Sequence, residues 1–318
     1  MSRLPAVCRD AIGAVRRSMN GSGIIVTVVV PTYRRPQQLR RCLEALATQT
    51  LREPWEVVVV DDGSPQPFTA ADLPAADRLA LRVIRQENAG PAAARNWGVR
   101  EARGEFVAFT DDDCRPEPGW LGTLVSAVRQ HPGALVGGTT FNGLTDELFA
   151  STSQLIVDLV YEHFNARPDD AYFLASNNII CTRGRFLSMG GFDAGYRLAG
   201  GEDRDLCDRW RRLDWPIVWE QAAHVEHRHS QSLRTFLDLH FRYGRGAYRY
   251  QSIRRKRKSG TMREDLSFHT TLPRRVARRL IGRRSLASGI GTVAALMAWQ
   301  LANAAGFAVE ALAGRARL

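Results

Sequence analysis

Residues 24–30 read Ile-Ile-Val-Thr-Val-Val-Val, and the run ends at Pro31. A continuous run of β-branched residues fits a strand that is buried on both faces of a parallel sheet, because helices cover such a strand above and below. A second run of this kind, Glu-Val-Val-Val-Val at 56–60, follows a segment with helical spacing. The two runs predict an open, mostly parallel sheet.

Further elements alternate along the first half of the chain. Strands are predicted at 81–84 and 105–110, and helices at 36–49, 91–102 and 120–130. The order β-α-β-loop-β-α-β-α is typical of an α/β fold with a doubly wound parallel sheet flanked by helices. In such sheets a ligand binds beyond the carboxyl ends of the strands.

Some classes of protein lose support because their motifs are missing. The first strand is not followed by G-x-G-x-x-G, and G-x-x-x-x-G-K-[ST] does not occur, which argues against dinucleotide-binding folds and P-loop NTPases. No C-x-x-C pair occurs, so a zinc knuckle or a redox motif is not expected. We expect small buried thiols at the five cysteines, which are Cys8, Cys42, Cys114, Cys181 and Cys207.

Three acidic clusters stand at predicted element ends. They are Asp61-Asp62, Asp111-Asp112-Asp113 and Glu202-Asp203. Adjacent carboxylates repel each other and usually share a cation, and their hard oxygen atoms suit Mg²⁺ or Mn²⁺. Plainer interpretations exist: Asp-Gly-Ser is ordinary turn chemistry, and acids in the first turn of a helix predicted at about 204–213 can simply cap it.

Six motifs in order resemble those of family 2 glycosyltransferases of the GT-A fold. They are Pro31-Thr32-Tyr33-Arg34-Arg35, Val60-Asp61-Asp62-Gly63-Ser64, Asn88 to Asn96, Phe109 to Asp113, Gly190-Gly191-Phe192-Asp193, and Gly201-Glu202-Asp203-Arg204-Asp205. The resemblance covers residues 25–229. Each motif alone is weak evidence, but six in order and at family-like spacing are strong.

The resemblance implies a site for a nucleoside-diphosphate-sugar donor. Its nucleotide-sugar-binding residues would be Pro31, Thr32, Tyr33, Arg34, Asp61, Asp62, Asn88, Arg95, Asp111, Asp112 and His227. Asp62 would bind the base or ribose, and Arg95 would lie near the diphosphate. Mn²⁺ or Mg²⁺ would be held by Asp113, Asp111 and His227. Which outer residue of the D-x-D motif holds the metal and which contacts the ribose stays open, because the central residue is also Asp.

The resemblance also implies an inverting mechanism. Asp203, with Glu202 beside it, matches the general base that takes the proton of the acceptor hydroxyl. A lone His is more often structural, but the cationic surroundings of His227 favour phosphate contact. Processive members carry Q-x-x-R-W, whereas residues 239–243 read Leu-His-Phe-Arg-Tyr, which favours transfer of a single sugar.

The C-terminal region predicts a membrane partner. The chain carries a formal net charge of +11, residues 240–284 are strongly basic, and no charged residue occurs in 285–309. This apolar segment can span a bilayer, lie in its interface or pack on the catalytic domain. We expect an anionic membrane surface at the cytoplasmic face, a glycan or polyprenyl-linked acceptor, and no nucleic acid, because residues 254–258 lack interleaved aromatics.

Four segments are therefore predicted: an N-terminal leader at 1–23, a catalytic domain at 24–235, a basic helical linker at 236–284, and a hydrophobic C-terminal helix at 285–318. The sequence leaves two other functions to compare with glycosyl transfer. A non-catalytic nucleotide-sugar-binding or scaffold protein of the same fold would not need intact acidic clusters. A sugar-1-phosphate nucleotidyltransferase would carry a glycine-rich basic loop after its first strand, which residues 31–34 are not.

Overall fold

The computed structural model of the chain describes residues 23–73, 76–197, 200–260, 262–280 and 286–315. The predicted N-terminal leader therefore lies outside the described residues except for Gly23. The four cysteines within the described part are buried and free, as expected.

The described residues form one eight-stranded sheet. Its strands are β1 (Val26–Thr32), β2 (Trp55–Asp61), β3 (Leu81–Arg85), β4 (Phe106–Phe109), β5 (Cys114–Pro116), β6 (Leu135–Asn142), β7 (Ile179–Thr182) and β8 (Ile217–His227). The strand order is β3-β2-β1-β4-β7-β6-β8-β5. The pairs β1–β2, β1–β4, β2–β3 and β6–β8 are parallel, whereas β7 and β5 run antiparallel to their neighbours. The prediction of a mostly parallel sheet is confirmed.

Nine α-helices occur in the described part of the chain. They are α1 (Pro36–Leu46), α2 (Pro91–Glu101), α3 (Trp120–Gln130), α4 (Leu148–Phe164), α5 (Arg183–Ser188), α6 (Glu202–Arg211), α7 (Leu233–Arg257), α8 (Met262–Leu280) and α9 (Leu286–Arg315). Short 3₁₀ turns lie at Ala70–Asp72 and Pro168–Asp170.

Helices cover both faces of the sheet. Val28 and Val57 belong to a core that includes residues of α1 and α3, and Val29 and Val58 belong to a second core with residues of α2 and α6. Successive side chains of a strand point to opposite faces, so the continuous valine runs fill both cores. The doubly wound α/β arrangement predicted from these runs is therefore confirmed.

The order of the strands brings separate parts of the chain to one edge. Thr32 and Asp61 are register partners at the ends of β1 and β2. β4 ends at Phe109, just before the acidic run. β5 pairs with β8, and Cys114 lies opposite His227. Because β5 follows the acidic cluster Asp111-Asp112-Asp113 directly, this pairing places the end of β8 beside that cluster.

The helices α4, α7, α8 and α9 build a third apolar core. It contains Leu159, Phe236, Phe268 and Trp299, one from each helix. α9 lies along α7, and glycines permit their close approach: a Cβ on Gly244 would meet a carbonyl oxygen of α9. By length and composition the segment 289–313 of α9 is also the one helical segment of the described residues that could cross a membrane.

Candidate active site

A cavity of about 1000 Å³ opens at the carboxyl edge of the sheet and extends under α7 and α9. Most of the residues predicted from the sequence line it together. They are Pro31, Thr32, Tyr33, Asp62, Asn88, Arg95, Asp111, Asp112, Asp113, Glu202, Asp203 and His227. The motifs that lie far apart in the sequence therefore face one space.

Two predicted binding residues do not line this cavity. The Asp61 carboxylate accepts a hydrogen bond from the Ser64 backbone N–H at 2.9 Å and from Arg85 at 3.1 Å. Arg34 has a positive φ of 58°, and its backbone N–H donates to Ser64 Oγ at 2.9 Å. In this structure both residues contact the loop after β2, and their donor contact stays a prediction.

The Asp62 carboxylate ties that loop to the start of α2. Oδ1 accepts hydrogen bonds from Gln86 Nε2 at 2.6 Å and the Ala89 N–H at 2.9 Å. Oδ2 accepts from the Gly90 N–H at 2.9 Å and Asn88 Nδ2 at 3.2 Å. Gly90 has a φ of 93°, and a Cβ there would meet the Arg197 carbonyl, so only glycine fits the turn. Asp62 orders this wall of the cavity.

Asp113 is the point at which cationic groups converge. Arg35 Nη1 donates to Asp113 Oδ2 at 2.8 Å, and His229 Nδ1 lies 3.1 Å from the same oxygen. His227 Nε2 lies 3.3 Å from Oδ1. Burial alone would raise the pKa of Asp113, but the two histidines and Arg35 hold it well below its ordinary value. Asp113 in turn raises the pKa of His227, although burial opposes that change.

The neighbouring Asp112 has a different environment. Thr32 Oγ1 donates to its Oδ2 at 2.8 Å, and Arg35 lies 3.2 Å from Oδ1. Burial, with the charge of Asp113 added, raises the pKa of Asp112 to about 7. The cluster Asp111-Asp112-Asp113 therefore holds one carboxyl whose pKa is lowered beside another whose pKa is raised.

Arg95 connects the second and third acidic clusters. Its Nη2 donates to Asp111 Oδ1 at 2.6 Å, and its Nη1 lies 3.7 Å from Glu202 Oε1. The guanidinium is buried, yet Nε and Nη1 have no hydrogen-bond acceptor among the described residues. A buried donor without an acceptor is costly, so Arg95 is suited to an anionic oxygen from a ligand.

Glu202 and Asp203 open α6, two residues earlier than predicted. Gly201 precedes them with a φ of 96°. The Glu202 carboxylate accepts the Gly200 N–H at 2.6 Å, and burial together with Asp203 raises its pKa to about 7. Burial also raises the pKa of Asp203, against the Arg204 N–H that donates to it at 2.8 Å. Raised carboxyl pKa values beside a cavity are what a general base near neutral pH requires.

A metal site can be assembled from Asp113 and His227. The ligand atoms of Asp113, Cys114 and His227 lie within 4.8 Å of one another. Burial raises the pKa of the Cys114 thiol well above its ordinary value, so it stays protonated and is a poor ligand. The remaining Asp113 carboxylate is the type of ligand that suits Mn²⁺ or Mg²⁺, and the neutral imidazole of His227 is a common metal ligand. In this structure Arg35 supplies positive charge at Asp113. The predicted metal role of Asp111, which pairs with Arg95, stays a prediction.

Two residues at Asp113 were not predicted as site residues. Arg35 ends the first motif and looks like one of many surface arginines. His229 follows His227 by two positions, a spacing that places two side chains of an extended segment on one face. That spacing was the available signal for His229. A third histidine of this part of the chain, His224, does not line the cavity. Its Nδ1 lies 3.2 Å from Glu117 Oε2.

The fold and the site thus define an α/β protein with an acidic, histidine-containing cavity at the carboxyl edge of its sheet. Residues 27–193 match the family described as Glycosyl transferase family 2. Because this match covers more than half of the chain, the protein belongs to that family, and the resemblance seen in its motifs is confirmed.

Two curated relatives extend the match. A pre-mycofactocin glycosyltransferase of Mycobacterium tuberculosis is 31% identical over 77% of this chain and 52% of its own length. A glucosyl-dolichyl phosphate glucuronosyltransferase of Haloferax volcanii is 29% identical over 64% of this chain and 69% of its own. The chain thus spans about half the length of the first relative.

One solved structure covers nearly the whole chain. A mannosyltransferase of Pyrobaculum calidifontis in complex with GDP-Man and Mn²⁺ aligns with a TM-score of 0.55 at 19% identity, over 98% of this chain and 89% of its own. The GT-A-like fold is shown by this likeness.

Proposed function

We propose that the protein is an inverting glycosyltransferase that moves one sugar from a nucleoside-diphosphate-sugar to an acceptor hydroxyl. The observation that carries this proposal is that one cavity is lined by the pair Asp113 and His227 and also by Asp203. The pair Asp113 and His227 suits a metal-bound diphosphate, and Asp203 suits the removal of a proton from the acceptor hydroxyl.

The donor would lie along the strand ends. Asn88 and the loop that Asp62 orders would form the wall for the base and ribose, beside Pro31, Thr32 and Tyr33. Asp113 and His227 would hold Mn²⁺ or Mg²⁺, which neutralises charge on the leaving nucleoside diphosphate. Arg95 would donate to the same diphosphate from Nε and Nη1, which have no hydrogen-bond acceptor among the described residues. The Mn²⁺ named with the Pyrobaculum enzyme supports this choice of ion.

Asp203 would be the general base. As the acceptor oxygen forms its bond to the anomeric carbon, the bond from that carbon to the diphosphate breaks and the acceptor proton passes to Asp203. A single in-line displacement inverts the anomeric centre. Glu202, held by Gly200 and near Arg95, would position the acceptor beside this base.

The acceptor would be a glycan or a polyprenyl-linked molecule at the cytoplasmic face of a membrane. Support comes from α9, which carries a stripe of exposed apolar side chains that includes Ile290 and Leu301. The dolichyl phosphate named with the Haloferax relative agrees with a lipid-linked acceptor. Because α9 also packs on α7, the stripe would rest in the membrane interface, with its other face held by the protein.

A binding screen and a transfer assay test this proposal. UDP, GDP and dTDP sugars with Mn²⁺ should raise the thermal stability of the protein in at least one case, because ligands stabilise the state they bind. With the donor so found, Asp203→Asn should lower the turnover number about 10²–10⁴-fold while donor affinity stays close to that of the wild type.

Glu202→Gln is the matched control and should lose less activity. If Asp203→Asn loses donor affinity but keeps its turnover at saturating donor, Asp203 is a binding residue and not the base. If the wild type binds donor yet neither transfers nor hydrolyses the sugar with any acceptor, the protein is a nucleotide-sugar-binding protein of the same fold.

A further inference from the structure

One part of the cavity is largely apolar. Its walls are helical and include Val157, Val160 and Phe164 of α4, Phe268 of α8, and Trp299 and Phe307 of α9. These positions recur at helical spacing, so each helix presents one face to the cavity. This apolar space is additional to the strand-end residues that are proposed to bind the sugar nucleotide.

One polar side chain that lines this space, His240, has no hydrogen-bond partner in the part of the chain that the structure describes. His240 lies on α7 with an exposed fraction of 2%, and neither of its ring nitrogens has a hydrogen-bond partner among the described residues. It contacts the rings of Phe236, Tyr243 and Trp299. Burial lowers its pKa to about 4, so the imidazole is neutral at pH 7. An unpaired, buried polar group that lines a cavity points to a ligand that pairs with it.

Tyr243 connects this space to the candidate base. It follows His240 by three positions, so the two side chains are neighbours on α7. A Cβ on Gly200 would lie 3.0 Å from Tyr243 Cδ1, and the Gly200 N–H donates to Glu202. The apolar space therefore reaches the residues that would receive the acceptor hydroxyl.

We propose that this space is the acceptor subsite, that it holds the aliphatic chain of a lipid-linked acceptor, and that His240 hydrogen-bonds the polar group between that chain and the reacting hydroxyl. The inference rests on the proposed glycosyl transfer, since only an acceptor needs a second subsite beside Asp203. It narrows the proposed acceptor to the lipid-linked class and identifies the helices that would bind its chain.

The surface of α9 explains why the occupant is a lipid chain. Met297 and Leu301 are 63% and 72% exposed on its outer apolar stripe. Gln300 and Ala304 line the cavity, and Ala304 follows Leu301 by three positions. The lining face and the exposed stripe are thus adjacent on the helix. A chain that leaves the cavity beside Ala304 passes directly onto the surface that would face the bilayer.

Calorimetry with hexyl, octyl and decyl β-D-glucosides, each below its critical micelle concentration, tests the subsite on the full-length protein. We expect the dissociation constant to fall about fourfold for each added methylene, because burial of one CH₂ contributes about 0.8 kcal/mol. Ala304→Trp should abolish this dependence on chain length, because the indole would obstruct the part of the cavity through which the chain leaves. His240→Phe should weaken all three probes by a similar factor of about three to ten.

Ala305→Trp is the matched control. Ala305 is the next residue of α9, is exposed and does not line the cavity, so its variant should bind the probes like the wild type. Binding of the nucleoside diphosphate with Mn²⁺ is measured on every variant. If the nucleotide binds but affinity does not rise with chain length, or the two tryptophan variants behave alike, the lipid subsite is wrong while the proposed function stands. If the wild type does not bind a nucleoside diphosphate in the presence of Mn²⁺, the proposed function itself is wrong.

Discussion

At the scale of single residues, Asp113 is the carboxylate that contacts the largest number of cationic side chains in the site. Its carboxylate contacts Arg35, His227 and His229, so it is ionised and surrounded by positive charge. We predict that Asp113→Ala abolishes Mn²⁺-dependent binding of the nucleoside diphosphate. Calorimetry with and without Mn²⁺ measures the effect.

Glu117→Ala supplies the control, because Glu117 forms another carboxylate–histidine contact, with His224, away from the cavity. It should bind the nucleotide and Mn²⁺ as the wild type does. Unchanged Mn²⁺-dependent affinity in Asp113→Ala would rule out Asp113 as a metal ligand.

Asp62 has a structural role that the sequence did not indicate. Its two oxygens accept four hydrogen bonds from residues 86–90. Asp62→Asn places an amide N–H₂ against N–H donors, so we expect a loss of about 1–3 kcal/mol in the free energy of unfolding, measured by urea denaturation. Asp146→Asn, at an exposed position, should change it little. Equal stability of the two variants would contradict the ordering role of Asp62.

Glu202 makes stability depend on pH in a defined direction. Its pKa is raised to about 7 in the folded protein, so the folded state binds the proton more tightly than the unfolded state does. The resulting stabilisation is present below the unfolded pKa of about 4.3 and is lost as the pH rises through 7. Glu202→Gln should therefore resemble the wild type at pH 4 and be more stable at pH 8.

The size of the Glu202 effect at pH 8 is on the order of 3 kcal/mol in the free energy of unfolding. Urea denaturation at the two pH values measures it. Because burial also raises the pKa values of Asp112 and Asp203, the wild type loses stability at these sites too as the pH rises, and Glu202→Gln should retain that part of the pH dependence. An unchanged pH dependence in the variant would mean that Glu202 is ionised throughout.

At the scale of elements, the sequence predicted the first half of the fold best. The strands near 26, 57, 81 and 106 and the helices between them were predicted within a few residues, because valine runs and helical spacing are local signals. The antiparallel insertion of β7 between β4 and β6, and the pairing of β5 with β8, are not local. Those pairings place His227 and His229 at Asp113. The family resemblance grouped His227 with Asp113 in one metal site, but no local pattern predicted the strand pairing that brings the two residues together.

The crossing of α7 and α9 depends on glycine. A Cβ on Gly306 would meet the Phe241 carbonyl, whereas a Cβ on Gly289 would meet nothing within 4 Å. Gly306→Ala should therefore weaken the docking of α9, although alanine favours helix. Gly289→Ala, in the same helix, should stabilise it by up to about 1 kcal/mol. Urea denaturation and hydrogen exchange of α9 amides measure the opposite effects, and stabilisation by both substitutions would show that the two helices do not pack closely.

At the scale of the whole molecule, the cavity is lined by two parts of the fold that differ in chemistry. The sheet edge supplies acids, Arg95 and histidines for a charged donor, and α4, α7, α8 and α9 supply an apolar wall. The sequence predicted the charged half from its motifs. It could not assign the apolar half, because a segment such as 285–309 reads alike whether it spans a bilayer, lies on it or packs on a protein. The structure shows α9 packed on α7 and apolar on its outer side.

The outer side of α9 gives a prediction about the membrane. Ile290 and Leu301 are 69% and 72% exposed, so replacing both with Glu should leave the fold intact. Burial of one such side chain contributes about 1.5–3 kcal/mol, and we expect the pair of substitutions to lower vesicle affinity at least tenfold. Sedimentation with vesicles of phosphatidylcholine and phosphatidylglycerol measures it. Leu213→Glu is the control, because Leu213 is 47% exposed just after α6, away from α9. If the wild type stays in the supernatant, or the control loses affinity equally, α9 is not the membrane contact.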